Sequence, residues 1–457
     1  MIKITIKPMI FFLFFLMITG CMQEDTTLLV EEHHEEQDEA YPLGEQTDDD
    51  QTIQTFVPSI INTLNDFVGE HQSEKEKMTT QTEEGDMTRQ NILEEMTLEQ
   101  KLAQMLYVGV DGTSLSSLDQ TLIADKDVGG IILLKNNVED EMQLLQFIQD
   151  IKAANGDNML PLFIGVDEEG GRVSRIPEEI FPNLPSNALI GTLNDAELSH
   201  TIGALLAKKV QYFGFNMNFA PVLDVNNNPL NPVIGDRSYS ATADVVTTLG
   251  VATMKGMKEQ HIIPVIKHFP GHGDTVVDSH YDLPVIHKTL AQLEALELIP
   301  FRAAIAEQAD VVMVAHILYP LLDEQYPATL SSNIMHDLLR EQLQFDGVIM
   351  TDDMTMGAIV EHYGLAEAVL LSMQAGADMV MVANHQTEHM EHIMSMLTQA
   401  VEEGTLSIES IDGSVLRIIK LKEQYIQDSA DDSQLAPLQA DQITEEIEHI
   451  LQRMKQK

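Results

Sequence analysis

The sequence predicts an α/β fold, a single (β/α)8 barrel of the TIM type. From Thr97 onward, short apolar runs rich in β-branched residues alternate with amphipathic stretches, which is the pattern of parallel βαβ units. Eight such runs occur within about 330 residues, a count and length that suit a closed barrel better than an open doubly wound sheet. Polar groups follow almost every run at its last apolar residue, and in a barrel those strand ends converge on one face.

The chain begins with a different kind of segment. Lys3 and Lys7 precede an apolar run, Met9 to Ile18, that ends in Thr19-Gly20-Cys21. A basic start, a short apolar stretch and small residues match a secretory signal, too short to span a bilayer stably. Ile18-Thr19-Gly20-Cys21 resembles a bacterial lipobox, which implies lipidation at Cys21, a signal over residues 1–21, and attachment to the outer face of the cell membrane through that lipid. Cys21 is the one cysteine in the chain, so no disulfide forms within it. Residues 22–88 are acidic and polar, with Glu31, Glu32, Glu35, Glu36, Asp38 and Glu39 followed by Asp48 to Asp50. A segment with so little to bury cannot offset its ordering entropy, and a disordered tether is expected there. One interruption, Phe56, Val57, Ile60, Ile61, Leu64, Phe67 and Val68, has helical spacing.

The barrel is expected over residues 89–425. Its eight strand candidates are Met105 to Val110, Gly129 to Leu134, Pro161 to Val166, Met217 to Leu223, Ile262 to Ile266, Val311 to Ala315, Val348 to Met350 and Met379 to Val382. Helical spacing marks Asp140 to Ala153, Glu197 to Phe213, Ala291 to Glu307 and Leu365 to Ala375, and Ile411 to Tyr425 is expected to close the barrel. In the remaining polar tail, 426–457, Ile443, Ile447, Ile450, Leu451 and Met454 form a short amphipathic helix with acidic residues first and basic residues last, as the helix dipole favours.

Composition narrows the function. With 26 basic against 73 acidic residues the formal charge is −47, which argues against nucleic acid as a partner and against electrostatic adhesion to anionic lipid. Gly170-Gly171 follows a strand but lacks the spacing of a phosphate-binding loop.

The chemistry-bearing stretch is Lys267-His268-Phe269-Pro270-Gly271-His272-Gly273-Asp274-Thr275, continuing through Asp278-Ser279-His280-Tyr281-Asp282. It follows the run Ile262 to Ile266, so its polar groups are expected to emerge in a loop where that strand ends. Asp111, Asp167, Glu168, Asp224, His316, Asp352, Asp353 and Asn384 fall at the corresponding ends of other strands. Two chemistries fit. His268, His272, Asp274, Asp278, His280 and His316 have the donor types of a zinc site, but amidohydrolase-type barrels carry a His-x-His pair after the first strand, where this chain has Gly109-Val110-Asp111. A glycosidase needs instead a carboxylate nucleophile and a proton donor. Histidine, with an unperturbed pKa of about 6.5, can donate from a mobile loop without the burial a carboxylic acid requires, and Asp278 two residues earlier can orient it.

Lys267 to Pro284, together with Gly165-Val166-Asp167-Glu168-Glu169-Gly170-Gly171-Arg172-Val173-Ser174-Arg175 and Thr351-Asp352-Asp353-Met354, resembles glycoside hydrolase family 3, specifically its β-N-acetylglucosaminidase branch. That resemblance implies a retaining exo-glycosidase acting on terminal β-linked N-acetylglucosamine, with cell-wall muropeptides as substrate. It implies Asp352 as nucleophile, His280 as acid/base and Asp278 as its dyad partner. Sugar-binding roles fall on Asp167, Arg175, Arg237, Lys267 and His268; Arg172, Glu169 and Asp353 receive no such role and are expected to form structural ion pairs. Neither cofactor nor metal is expected. The chain ends before the C-terminal αβα domain of the two-domain members, so it resembles the compact members, which complete the site with barrel loops alone. A monomer is expected. A β-glucosidase of the same family and a non-catalytic wall-binding lipoprotein are the alternatives.

Overall fold

The computed structural model describes residues 85–279, 282–384, 387–426 and 439–456. The expected leader, residues 22–84 of the acidic segment and the Phe56 to Val68 pattern lie outside the described residues, as does His280, whereas residues 85–88, expected to belong to the disordered tether, form the start of a helix that runs on into the barrel domain. Eight strands form one sheet: β1 (Leu106–Gly109), β2 (Gly130–Leu133), β3 (Phe163–Val166), β4 (Met217–Asn218), β5 (Ile263–Phe269), β6 (Val311–Val314), β7 (Val348–Thr351) and β8 (Val380–Val382). Their order is β7-β6-β5-β4-β3-β2-β1-β8, and every pairing is parallel. A bridge between Met350 and Met379 joins β7 to β8, with the Asp378 N–H donating to the Ile349 carbonyl at 2.8 Å, so the sheet returns on itself. The strand residues are buried throughout, as expected when side chains fill the lumen and helices cover the outside.

The helices follow the predicted pattern: α1 (Leu98–Gln104) before β1, α2 (Glu141–Ala154) after β2, α3 (Ala196–Phe213) after β3, α4 (Ala243–Glu259) after β4, α5 (Leu298–Ala306) after β5, α6 (Leu365–Gln374) after β7, α7 (Thr387–Glu402) after β8, then α8 (Ile408–Tyr425) and α9 (Ala440–Lys455). Their ends are set by local chemistry. Asp140 accepts from the Gln143 N–H to start α2, Asp195 accepts from the Leu198 N–H to start α3, and Gly214, at φ 99°, ends α3 in the left-handed region that suits glycine.

Three expected elements differ, each for a physical reason. The expected helix Ala291 to Glu307 is broken: Leu290–Glu294 ends and α5 restarts at Leu298. Pro300 lacks an N–H and is tolerated only in a helix's first turn, which the restart provides. β4 is two residues long rather than seven because Pro221 cannot donate to the ladder; beyond it, Val222 bridges Lys267 and the Leu223 N–H donates to the Lys267 carbonyl at 2.6 Å. Conversely β5 runs to Phe269, so Lys267 and His268 belong to the strand and not to the loop expected there.

The end of the barrel from which the strands start is plugged. Lys422 of α8 is buried, its Nζ donating to Gln104 Oε1 at 2.6 Å and lying 5.0 Å from the centre of the Phe163 ring. Asp378, also buried, accepts from Ile349 N, Arg340 Nη2, Ser414 Oγ and Arg417 Nη1 at 2.7–2.9 Å, tying α8 to the barrel wall as the expectation for this helix requires. Within the lumen, Tyr107 packs edge-on against Phe219 with ring centres 5.6 Å apart, in space that only glycine leaves: a Cβ on Gly165 would stand 2.3 Å from the Tyr107 hydroxyl oxygen. Phe219 in turn helps floor the cavity described next. Along α9, Ile443, Ile447 and Ile450 are buried, and Lys208 Nζ on α3 meets Glu446 Oε2 at 2.6 Å.

Candidate active site

The opposite end of the barrel, where the strands finish, opens into a cavity of about 420 Å3, a size ordinary for small-ligand sites. Asp167 after β3, Lys267 and His268 of β5, Asp352 and Asp353 after β7, and Arg175, Arg237 and Asp278 from the connecting loops all line it. Seven of the eight residues expected to act on the sugar are thus on one surface, and the eighth, His280, lies outside the described residues. Asp111 and Asn384, although placed at strand ends, are exposed and do not line the cavity.

The cup is held by an interlocked set of charges. Lys267 Nζ lies 2.7 Å from both Asp167 Oδ1 and Glu169 Oε1. Glu169 also receives both arms of Arg237, Nε to Oε2 at 2.9 Å and Nη2 to Oε1 at 2.8 Å, the bidentate geometry that fixes a guanidinium plane. Burial alone would raise the Glu169 carboxyl, but Arg237 and Lys267 outweigh it and hold the group well below the usual carboxylate range. In Asp167 the same contest, burial against Lys267 and Arg175, also ends with the carboxyl lowered. Glu169 is therefore an ion-pairing residue, as expected, and both of its partners, Lys267 and Arg237, line the cavity. Arg172 likewise pairs with Asp236 at 2.7 Å.

Asp224 is the residue that the motifs did not assign. It is fully buried; its Oδ2 lies 2.7 Å from His268 Nδ1 and its Oδ1 accepts the His272 N–H at 2.6 Å. On the other side of the imidazole, Arg237 Nη2 stands 3.3 Å from His268 Nε2. A guanidinium can only donate, so Nε2 accepts and the Nδ1–H donates to Asp224, which fixes one tautomer of His268. Burial would raise Asp224, but the adjacent His268 ring, its hydrogen bond and the His272 N–H keep the carboxyl low. His272, pushed down to about 4 by burial and then by neighbouring His268, is neutral near pH 7.

Asp352 follows β7, where its own N–H donates to the Val314 carbonyl at 2.9 Å and its Oδ1 accepts the Asp353 N–H at 2.8 Å. Burial would raise its carboxyl; nearby His316, the Asp353 N–H and Lys267 reverse that and hold it at about 2. The group is thus ionised and faces the cavity, the state a carboxylate nucleophile needs. Asp353 lines the cavity too, but its carboxylate accepts from Ala383 N at 2.9 Å and Thr355 N at 3.0 Å, so backbone hydrogen bonds take the place of the ion pairing expected of it. Ile132, Phe219, Met313 and Met381 supply apolar lining beside these charges.

Three of the described residues with zinc-site donor types are engaged elsewhere. Asp274 pairs with Lys288 at 2.7 Å, His316 bonds Thr329 Oγ1 at 2.8 Å and the Asp353 carbonyl at 2.9 Å, and His268 is taken by Asp224. Among the described residues no three His, Cys, Asp or Glu side chains are grouped to hold a metal.

Residues 97–421 match the family model described as the glycosyl hydrolase family 3 N-terminal domain. The chain is 36% identical over 331 residues to β-hexosaminidase A of Pseudoalteromonas piscicida, covering 68% of this chain but 55% of that protein, so it spans about half the relative's length. It is 38% identical over 286 residues to the β-hexosaminidase of Thiobacillus denitrificans, covering 61% of this chain and 78% of the relative. Among solved structures, a family 3 β-N-acetylglucosaminidase from Paenibacillus sp. str. FPU-7 superposes with a TM-score of 0.72 at 39% identity, covering 78% of this chain and 68% of the other.

Proposed function

The chain belongs to glycosyl hydrolase family 3, and from that premise we propose that it is a retaining exo-β-N-acetylglucosaminidase that removes terminal β-linked N-acetylglucosamine through a glycosyl-Asp352 intermediate. The observation that carries the reading is the Asp352 carboxylate on the wall of a cavity that the Lys267, Asp167 and Arg237 cluster also lines. Asp352 attacks the anomeric carbon while His280 protonates the departing oxygen; His280 then removes a proton from the water that releases the sugar. Asp278, which lines the same cavity, stabilises the charged imidazole. Asp167, Arg175, Arg237, Lys267 and His268 bind the hydroxyls and the acetamido group. Fixed charges of this kind orient a sugar before the chemistry begins.

The relatives named β-hexosaminidase and β-N-acetylglucosaminidase support the choice of an amino sugar. The natural substrate is proposed to be a fragment of cell-wall glycan, met outside the cytoplasm by a monomer anchored through lipid on Cys21; the lipobox-like Ile18-Thr19-Gly20-Cys21 supports that location. Release of p-nitrophenol from the β-N-acetylglucosaminide and the β-glucoside tests the specificity. The account predicts turnover of the first and little of the second. Preference for the glucoside would contradict it.

A further inference from the structure

Three acids stand in a row where β3 ends. Asp167 and Glu169 enter the charge cluster of the cup, as alternation along an extended chain requires, and Glu168 between them faces the other way, toward α3. Nothing in the proposed reaction uses Glu168, yet it is fully buried together with Lys209, whose Nζ lies 2.7 Å from Glu168 Oε1. The carboxylate takes three further hydrogen bonds, all from the loop that follows: Ser174 Oγ to Oε1 at 2.8 Å, and to Oε2 the backbone N–H groups of Arg175 at 2.9 Å and Ile176 at 3.2 Å. Its own backbone is clamped by the Asn218 side chain, which accepts from the Glu168 N–H at 3.0 Å and donates to its carbonyl at 2.9 Å.

Arg175 itself is held loosely. Among the described residues its guanidinium makes one hydrogen bond, Nη2 to Asp167 Oδ2 at 3.5 Å, and its buried Nε has no hydrogen-bond partner. A buried donor left unpaired is costly unless a ligand oxygen completes it. With so little to fix the side chain, its placement is inherited from the backbone, and the backbone at Arg175 is set by Glu168. A buried ion pair adds little to stability over an apolar pair of the same volume, so stability alone gives no reason for charge here.

We propose that Glu168, braced by Lys209, is a positioning residue that aims Arg175 at the bound sugar. The inference rests on the sugar-binding reading of Arg175. Two double variants isolate the hydrogen bond from the buried charges. Glu168→Gln/Lys209→Met removes both charges but keeps an oxygen to accept the Arg175 N–H. Glu168→Leu/Lys209→Met removes both charges and the acceptor. The full chain is assayed with p-nitrophenyl N-acetyl-β-glucosaminide for KM and kcat, and with free N-acetylglucosamine as inhibitor for Ki. The glutamine variant should keep KM and Ki near the parent, while the leucine variant should raise both about tenfold, the effect of one lost hydrogen bond to a charged group, with a smaller change in kcat. If the leucine variant fails to fold, Glu168→Met/Lys209→Met supplies the same comparison. Equal KM and Ki in the two doubles, with Arg175→Ala raising KM, would overturn this proposal alone. An unchanged KM in Arg175→Ala would overturn the sugar-binding reading, and the proposal with it.

Discussion

Replacing Asp224 by Asn changes no volume and removes one charge, so its effect can be worked from the local geometry. Asp224 Oδ2 lies 2.7 Å from His268 Nδ1 and Oδ1 lies 2.6 Å from the His272 nitrogen, and both neighbours donate. An asparagine offers one oxygen for these two donors. If the oxygen stays with His272, the NH2 faces the His268 Nδ1–H, and moving that proton to Nε2 sets it against Arg237 Nη2, 3.3 Å away. If the amide flips, its NH2 meets the His272 N–H instead. Either way one buried donor is left facing another, a cost of about 1–3 kcal/mol, which corresponds to a loss of roughly 5- to 150-fold in kcat/KM if His268 must present Nε2 to the sugar. The assay is kcat/KM of Asp224→Asn on p-nitrophenyl N-acetyl-β-glucosaminide, with the thermal midpoint recorded to show that the barrel persists. A folded variant with kcat/KM within about twofold of the parent would refute the claim that Asp224 sets the His268 tautomer.

Separating the proton donor from the nucleophile gives a second prediction. His280→Ala should lose far more activity on a natural disaccharide, whose leaving group needs a proton, than on the p-nitrophenyl glycoside, by about 10²- to 10⁴-fold, and azide should restore part of the activity as a β-glycosyl azide. Equal losses on both substrates with no azide product would remove His280 from that role. Lys422 predicts a pH effect on stability. Burial depresses its ammonium from the ordinary 10.5 to about 7, with Asp127 opposing. Above that lowered value the unfolded chain binds the proton that the folded chain has released, so stability rises with pH until about 10.5, the unfolded value. The melting temperature should therefore climb between pH 7 and 9 by more in the parent than in Lys422→Met; parallel profiles would sink the assignment. Finally, Cys21→Ala should release or mis-process the protein, read by membrane fractionation and gel mobility, and unchanged retention would discard the lipid anchor.

Much of the barrel was legible because its strands are nearly unbroken apolar runs, a pattern that survives without any knowledge of tertiary contacts. What escaped depends on contacts distant in sequence. The run from Met217 to Leu223 looks like one strand, but pairing depends on N–H groups, and Pro221 removes one. Ile262 to Ile266 looks like a complete strand because the apolar signal stops at Lys267. In the fold that lysine extends β5 and still finds Asp167 and Glu169 within 2.7 Å, so charge at the end of an apolar run does not mark the end of the strand. Asp167, Lys267 and Asp352 were visible as polar residues at strand ends and as parts of recognisable motifs. Asp224 sits at a strand end too, but its importance comes from facing His268, 44 positions away. Glu168 was hidden for the opposite reason: it belongs to the motif, yet its side chain faces α3 and not the cavity.

In the proposed reaction Asp352 becomes covalently attached to the sugar. A 5-fluoro-N-acetylglucosaminyl fluoride, which slows release of the intermediate more than its formation, should label the protein at one sugar per chain, and digestion should place that mass on Asp352. The Asp352→Ala variant should take up no label and turn over no substrate. Label recovered on Asp353, on another carboxylate, or on no residue while the enzyme still turns over would contradict the account.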